Sequence, residues 1–318
     1  MTTSGTYAFT VTRDQIIRLA MLSIGKLDEV ETPTSGELSD CSQFLNMLVK
    51  QWQGTADFAP GLKTFTRKHG HLFLSSVTGQ YTVGPGATGW TTSYVSTTTS
   101  VAAAGGQAVL NVVSASGLLA GDHFGVELAT GNLYWGIVLT VVGTVVTLTA
   151  NLPSSVLTGS IVYDYTTAGT QPVVIESAFL RDFNNSDTPL KIMTQKDYDY
   201  LPSKTNPQFI SDPTAVYYEF QRTNSVLFTD CAASNDVTKH IGITYLEAAQ
   251  DVTNPNDETC YPQEWFLALV WGLAEQIAPM FQAAWTENMS RNKVSALAIA
   301  QKKEPERATL YFACGEDL

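Results

Sequence analysis

Pro262-Gln263-Glu264-Trp265-Phe266-Leu267-Ala268-Leu269-Val270-Trp271-Gly272-Leu273-Ala274-Glu275-Gln276-Ile277-Ala278-Pro279-Met280-Phe281-Gln282-Ala283-Ala284-Trp285 is the longest apolar-periodic segment of the chain. Trp265, Leu269, Leu273, Ile277 and Phe281 recur every fourth residue, with Phe266, Val270 and Ala274 beside them. That spacing predicts one wide apolar face of a helix. Pro262 suits a first helical turn, where its missing N–H costs nothing. Pro279 predicts a bend near Ala278, because its ring breaks the preceding turn's bonding. The rest of the fold is expected to pack on this helix.

Two more helices precede it. Thr12 can cap a helix and Gln15 stands three residues on, as a capping box requires. Ile16, Ile17, Ala20, Met21 and Ile24 give its stripe, and Gly25 stops it. After the Pro33-Thr34-Ser35-Gly36 loop, a second helix is expected from about Glu37 to Gln53. Leu38, Cys41, Phe44, Leu45, Leu48, Val49 and Trp52 keep its period. The short loop between them predicts an antiparallel pair.

Residues 62 to 83 change to short strands: Lys63–Lys68, His71–Leu74 and Gln80–Val83. Composition then shifts. The 87 residues from Thr82 to Ala168 hold three charged side chains, Asp122, Glu127 and Asp164, and no Lys or Arg. Strands are expected at Ala108–Val113, His123–Leu128, Tyr134–Val142, Thr144–Thr149 and Gly159–Tyr165. Short strands so closely spaced predict a β-sandwich or small barrel inserted at a surface turn. Further strands are expected at Val173–Arg181 and Pro189–Met193, then a helical turn at Thr194–Tyr198. A hairpin, Ala215–Gln221 with Ser225–Thr229, and a strand at His240–Leu246 follow. Asn288–Glu304 is a smaller Ala-rich helical stretch.

The chain has 318 residues, 44% of them hydrophobic, and a net charge of −12. That suffices for two domains. The acidic balance argues against a duplex-DNA reader, which needs Lys and Arg against phosphate. It allows DNA to slide past without sticking. Cys41, Cys231, Cys260 and Cys314 are scattered, without metal spacing or a disulfide framework, so reduced thiols of a cytosolic product are expected. Met1–Tyr7 has neither basic nor apolar character and does not read as a signal peptide. No run of 18 uncharged apolar residues predicts a membrane span. Leu133–Leu152, the nearest, is broken by Gly136 and Gly143 and reads as strands.

His69 and His71 would face one side of a strand, but two solvated polar residues are the simpler reading without a third ligand. Gly84-Pro85-Gly86-Ala87-Thr88-Gly89 matches a dinucleotide fingerprint, yet no helix follows and Pro85 removes a donor. No Gly-x-Ser-x-Gly elbow occurs. Cys260 with His240 could form a thiol–base pair, although a plain cysteine needs less. Glu247, Asp251, Asp257, Glu258 and Glu264 supply carboxylates for glycoside hydrolysis, and equally read as a solvated loop and favourable charge at a helix start. Trp90 or Trp135 could serve as a sugar platform, or as core. Arg291, Lys293, Lys302, Lys303 and Arg307 are the local exception to the acidic balance. They read as a solvated helix or as an arm that docks on an acidic partner.

Arg13–Gly25, Leu45–Trp52, Gln80-Tyr81-Thr82-Val83-Gly84, Pro262–Trp265 and Leu273-Ala274 together resemble the head-to-tail adaptor proteins of short-tailed bacteriophages, also called packaged-DNA-stabilisation or tail accessory factors. The resemblance covers roughly 7–83 and 169–285. It implies a structural connector rather than an enzyme: a homo-oligomeric ring, commonly of twelve copies, beneath the portal of the filled head. Such a ring retains packaged DNA, which passes through the channel unread, and presents a platform for tail nozzle or tail fibre proteins. It implies a place at the head–tail junction of the virion, assembly in the bacterial cytoplasm, and no cofactor, metal, catalytic residue or membrane anchor. The expected docking residues on the portal are Arg291, Lys293, Lys302, Lys303 and Arg307. A virion-associated cell-wall hydrolase, or a glycan- or receptor-binding protein acting through the β-domain, is the alternative.

The fold expected from these readings is α+β. Residues 1–83 and 169–285 form an α-helical bundle core with short strands, 84–168 an inserted all-β sandwich or barrel, and 286–318 a C-terminal helical docking arm.

Overall fold

The computed structural model describes residues 9–54, 67–182, 184–202, 204, 210–233, 236–259 and 261–302. Among them are five α-helices: α1 (Arg13–Ser23), α2 (Ser35–Gly54), α3 (Gln195–Asp199), α4 (Phe266–Ile277) and α5 (Glu287–Lys302). Contacts divide the chain into two compact units. One is contiguous, Arg67–Glu247. The other is assembled from the flanks, Met1–Thr66 with Ala248–Leu318.

The flanking unit holds four of the helices. Thr12 and Gln15 form the capping box, and Gly25 (φ +70°) follows the end of α1. A 3₁₀ turn, Gln263–Trp265, leads into α4. Ile16, Ile17 and Met21 of α1, Leu45 and Leu48 of α2, and Trp265, Leu269, Leu273 and Ile277 form one buried cluster. Each such side chain contributes roughly 1.5–3 kcal/mol on burial. Gly272 lets α2 come close: a Cβ there would stand 2.8 Å from the Trp52 ring. Arg13 is buried and donates to the Thr253 carbonyl, while its own N–H donates to Asp257 O at 3.0 Å.

The contiguous unit opens with β1 (Arg67–Phe73), β2 (Gln80–Val83) and β3 (Trp90–Thr91). Next come β4 (Val95–Val101), β5 (Val109–Val112), β6 (His123–Glu127), β7 (Leu133–Val142), β8 (Val145–Leu148) and β9 (Ile161–Tyr165). These six close into a barrel in the order β4-β5-β8-β7-β6-β9, around Leu110, Phe124, Val126, Val146 and Val162. β10 (Pro172–Arg181), β11 (Asp187–Met193), β12 (Ile210–Ser211), β13 (Ala215–Glu219), β14 (Ser225–Thr229), β15 (Ala232–Ala233) and β16 (His240–Glu247) complete the unit. An eight-stranded sheet runs β2-β14-β13-β11-β10-β16-β1-β3; β12 and β15 pair separately. β1 and β10 flank β16 antiparallel, with Arg67 opposite Leu246 and Arg181 opposite His240. Trp90 fills the sheet's far side, where Gly70 and Gly169 make room for its ring.

Three sequence expectations need correction. The core is not an α-helical bundle with short strands: 34% of the described residues are strand and 24% helix. Individual strands and helices are local signals, but the joining of β1, β10 and β16, far apart in sequence, into one eight-stranded sheet is what periodicity cannot register. The bend expected at Pro279 is an end. α4 stops at Ile277, and Gln282 (φ +54°) reverses the chain with Ala283 N–H donating to Ala278 O at 2.9 Å and Gln282 N–H to Pro279 O at 3.2 Å, the bond pair of a Schellman motif. The helix expected to leave as an arm instead returns, and Ala296 and Ala300 of α5 join the cluster around α4. β4, rich in Thr and Ser, was not expected as a strand at all.

Candidate functional site

The basic cluster was the one site residue set expected from the sequence. On α5, Arg291 pairs with Glu287 at 2.8 Å, and Lys293 pairs with Glu275 of α4. Both described cations are therefore engaged within the chain. The side chain of Lys302, and all of Lys303 and Arg307, lie outside the described residues. Exposed surface on α5 is apolar as well as charged: Glu287, Ser290, Arg291, Val294, Ser295 and Ala298 line a shallow groove. A second groove on the same unit is lined by Phe9, Thr10, Val11, Gln15, Arg18 and Leu19, with Phe9 64% exposed.

Three of the five acidic residues, Glu247, Asp251 and Asp257, are held in structural contacts. Asp257 accepts the backbone N–H groups of Asn254 and Thr253 at 2.7 and 2.8 Å, the Asn254 contacts first in holding its carboxyl below the usual range. Asp251 pairs with Lys50 at 3.0 Å. Glu247 pairs with Lys68 at 3.4 Å and accepts the Thr170 hydroxyl at 2.8 Å. Cys260 lies outside the described residues, so its pairing with His240 has no geometry to judge. The Gly84–Gly89 stretch leads into β3, and Gly86 N–H donates to the Asn224 side chain at 3.2 Å; it caps the β13–β14 hairpin. Trp90 is fully buried, which removes it from the role of an exposed sugar platform, and the half-buried Trp135 packs at 5.5 Å on Phe73.

Two groups of buried titratable side chains were not singled out. The first lies where the barrel meets the sheet. His71 of β1 and His240 of β16 stand with ring centroids 5.2 Å apart, against Tyr94 at 4.9 and 5.4 Å. Phe73 and Tyr163 continue the cluster at 4.3 Å, and the Tyr163 hydroxyl donates to Val237 O at 3.1 Å. His240 is 3% exposed, and both its ring nitrogens lack a hydrogen-bond partner; so does His71 Nδ1. Burial, then the neighbouring His71 and Arg181, pushes His240 down to about 4. Burial, then Arg181, does the same to His71. Arg181 is bound to Asp187 at 2.7 Å. Both rings are therefore neutral at pH 7 and behave as aromatic packing. The pairing His69–His71 fails because His69 turns to Thr244 Oγ1 at 3.1 Å. Among the described residues, no group of three His, Cys, Asp or Glu could hold a metal ion.

The second group is inside the barrel. Asp122 and Asp164 are buried alongside Phe124 and Val162. Asp122 accepts the Leu119 N–H at 2.7 Å, and one oxygen of each carboxyl has no partner. Burial first, then a hydrogen bond with Asp122, pushes Asp164 up to about 8. Asp164 therefore keeps its proton at neutral pH. A signal was present in the sequence: these are two of only three charges in the stretch, at strand positions of the same parity as inward apolar residues. Compared with protein-family models and with curated proteins, the chain matches none.

Proposed function

We propose that this chain is a structural head-to-tail connector of a short-tailed bacteriophage, working as a homo-oligomeric ring beneath the portal at the head–tail junction. One observation carries the reading. Four of the five segments that resemble the adaptor family, Arg13–Gly25, Leu45–Trp52, Pro262–Trp265 and Leu273-Ala274, lie far apart in sequence yet contribute to one buried cluster, while Gln80–Gly84 belongs to the sheet unit. The ring retains DNA and carries tail nozzle or tail fibre proteins, in a structural and not a catalytic role. A net charge of −12 suits a channel wall that DNA passes without binding. The exposed grooves on α1 and α5 suit contacts with neighbouring copies or the portal. A ring of this kind needs a heterologous interface that closes.

The portal contact falls to the residues after α5, with Lys303 and Arg307 as its cations. The test is native mass spectrometry of the purified chain with purified portal protein. A ring on the portal is expected. Removal of residues 303–318 is expected to abolish it, since α1, α2, α4 and α5 all lie upstream of that cut. A cut after Trp285 is unsuitable, because it takes Ala296 and Ala300 out of the core. Failure of the full chain to assemble on portal overturns the reading.

A further inference from the structure

We infer that the outer face of the barrel formed by β4, β5, β8 and β7 is a contact surface between copies of this chain. The inference deepens the ring reading by naming which surface pairs. In the ladder, Val101 lies opposite Asn111, Asn111 opposite Val145, and Val145 opposite Val142. Val109 occupies the adjoining row, opposite Thr147. Val142 is 72% exposed, and Val101, Val109 and Val145 are exposed too. The row thus crosses four strands on the barrel's outside, aliphatic on β4, β8 and β7 with Asn111 between them on β5 and Val109 beside it, while Leu110, Val112, Val146 and Leu148 alternate inward.

Charge decides what covers it. Between Thr82 and Ala168 there is no Lys or Arg, Asp122 and Asp164 are buried, and the half-buried Glu127 accepts the Ile161 N–H at 3.2 Å. Folded domains ordinarily carry charge on about a quarter of their residues, mostly outside. An ionic partner gains nothing on such a face, and a glycan finds no aromatic ring in the row of Val101, Asn111, Val145 and Val142. Two copies of this chain repel through a net charge of −12 each, and the neutral barrel is where they approach without that cost. Closure of the barrel removes free edges, so the contact is face packing and not strand addition. In a ring, each copy presents this face to one neighbour and another part of its uncharged barrel to the other.

Sedimentation equilibrium of the full chain, across protein concentration and salt, tests this. Association is expected to hold or strengthen as salt rises, because no opposite charges meet across the face and salt screens the overall repulsion. Val142→Lys with Val145→Lys, and separately Val109→Lys, are expected to weaken it at least about tenfold, the equivalent of roughly 1.4 kcal/mol. The melting curve should be unchanged, since these side chains point to solvent. Met47→Lys, on an exposed site of α2, should have no effect. A chain that stays monomeric, or one that associates equally well with the barrel variants, overturns the inference. So does binding to neutral lipid vesicles by a monomeric chain, which would give the face to a membrane. Failure to assemble on portal with barrel-dependent association intact would sink the connector reading alone; portal rings unaffected by the barrel variants would sink this one alone.

Discussion

His240 carries two ring nitrogens into a place where neither finds a partner. Leaving them neutral costs some hydrogen bonding; charging them next to Arg181 would cost more. Its depressed pKa, about 4, has a definite sign for stability. The unfolded chain takes up a proton near pH 6.5 and the folded chain near 4. Stability from His240 is thus fully present above pH 6.5 and is lost as pH falls through that window. The loss is roughly 3 kcal/mol at most, from 1.36 kcal/mol per pKa unit. His71 adds in the same direction. Urea unfolding at pH 4.5 and 7 should show the drop for the native chain and a smaller one for His240→Phe. An unchanged pH slope in the variant would mean that His240 is not the titrating group. Asp164 has the opposite sign. Its carboxyl keeps a proton from about pH 4 up to about 8 in the fold, while the unfolded chain has lost it. Stability therefore falls as pH rises across that range. Asp164→Asn removes the ionisation, and its melting temperature should exceed the native one by a margin that grows from pH 5 to pH 9. Equal margins at both would mean that Asp164 is not the titrating group.

Among the elements, α4 shows how propensity and packing compete. Gly272 sits mid-helix, where Ala would be better by about 1 kcal/mol on propensity. Yet the added methyl would stand 2.8 Å from Trp52 and 3.0 Å from Leu48. Overpacking of that sort costs roughly 1–3 kcal/mol. Gly272→Ala should then destabilise the helical unit, read as a lower urea midpoint; a higher midpoint would mean that Trp52 swings away freely. The same elements show what a sequence reveals. α1 was legible to its capping box, because cap and stripe are local. α2 and most strands were placed within a few residues for the same reason. β4 was missed because Val95-Ser96-Thr97-Thr98-Thr99-Ser100-Val101 has no apolar alternation: its inward Thr99 satisfies its hydroxyl on Leu157 O at 2.6 Å instead of packing a Leu. The imidazole cluster was invisible for another reason. His71 and His240 are brought together only by β1 pairing with β16, a contact that no spacing encodes. The five-residue basic set, by contrast, was visible as composition, and the Glu287–Arg291 pair one turn apart is local, but the partner of Lys293, Glu275, depended on α5 folding back.

At the scale of the whole molecule, the chain is a nest of insertions. The barrel leaves and rejoins the sheet side by side: Thr91 bridges Ala168, and Gly169 N–H donates to Trp90 O at 3.0 Å. The sheet unit is closed at its own root in the same way, with Arg67 opposite Leu246 on adjacent strands. Its two ends therefore stand about 5 Å apart, the spacing of neighbouring strands. Insertion through such a root costs little chain entropy, because the host sees only a short, pinned loop. It also means that the sheet needs nothing from its flanks to align β1 with β16. Residues 67–247 expressed alone should fold cooperatively, with far-UV circular dichroism of a β protein. Their melting should show the acid drop attributed to His240 and the alkaline drop attributed to Asp164, since both clusters lie within that segment. A fragment that is unfolded, or that has lost both pH dependences, would show that the helical unit is required to set the sheet's register. The flanking segments make the complementary case. They form one core only after the chain returns at Ala248, so cutting them out as separate peptides should leave α1 and α2 unable to bury the stripe that α4 covers.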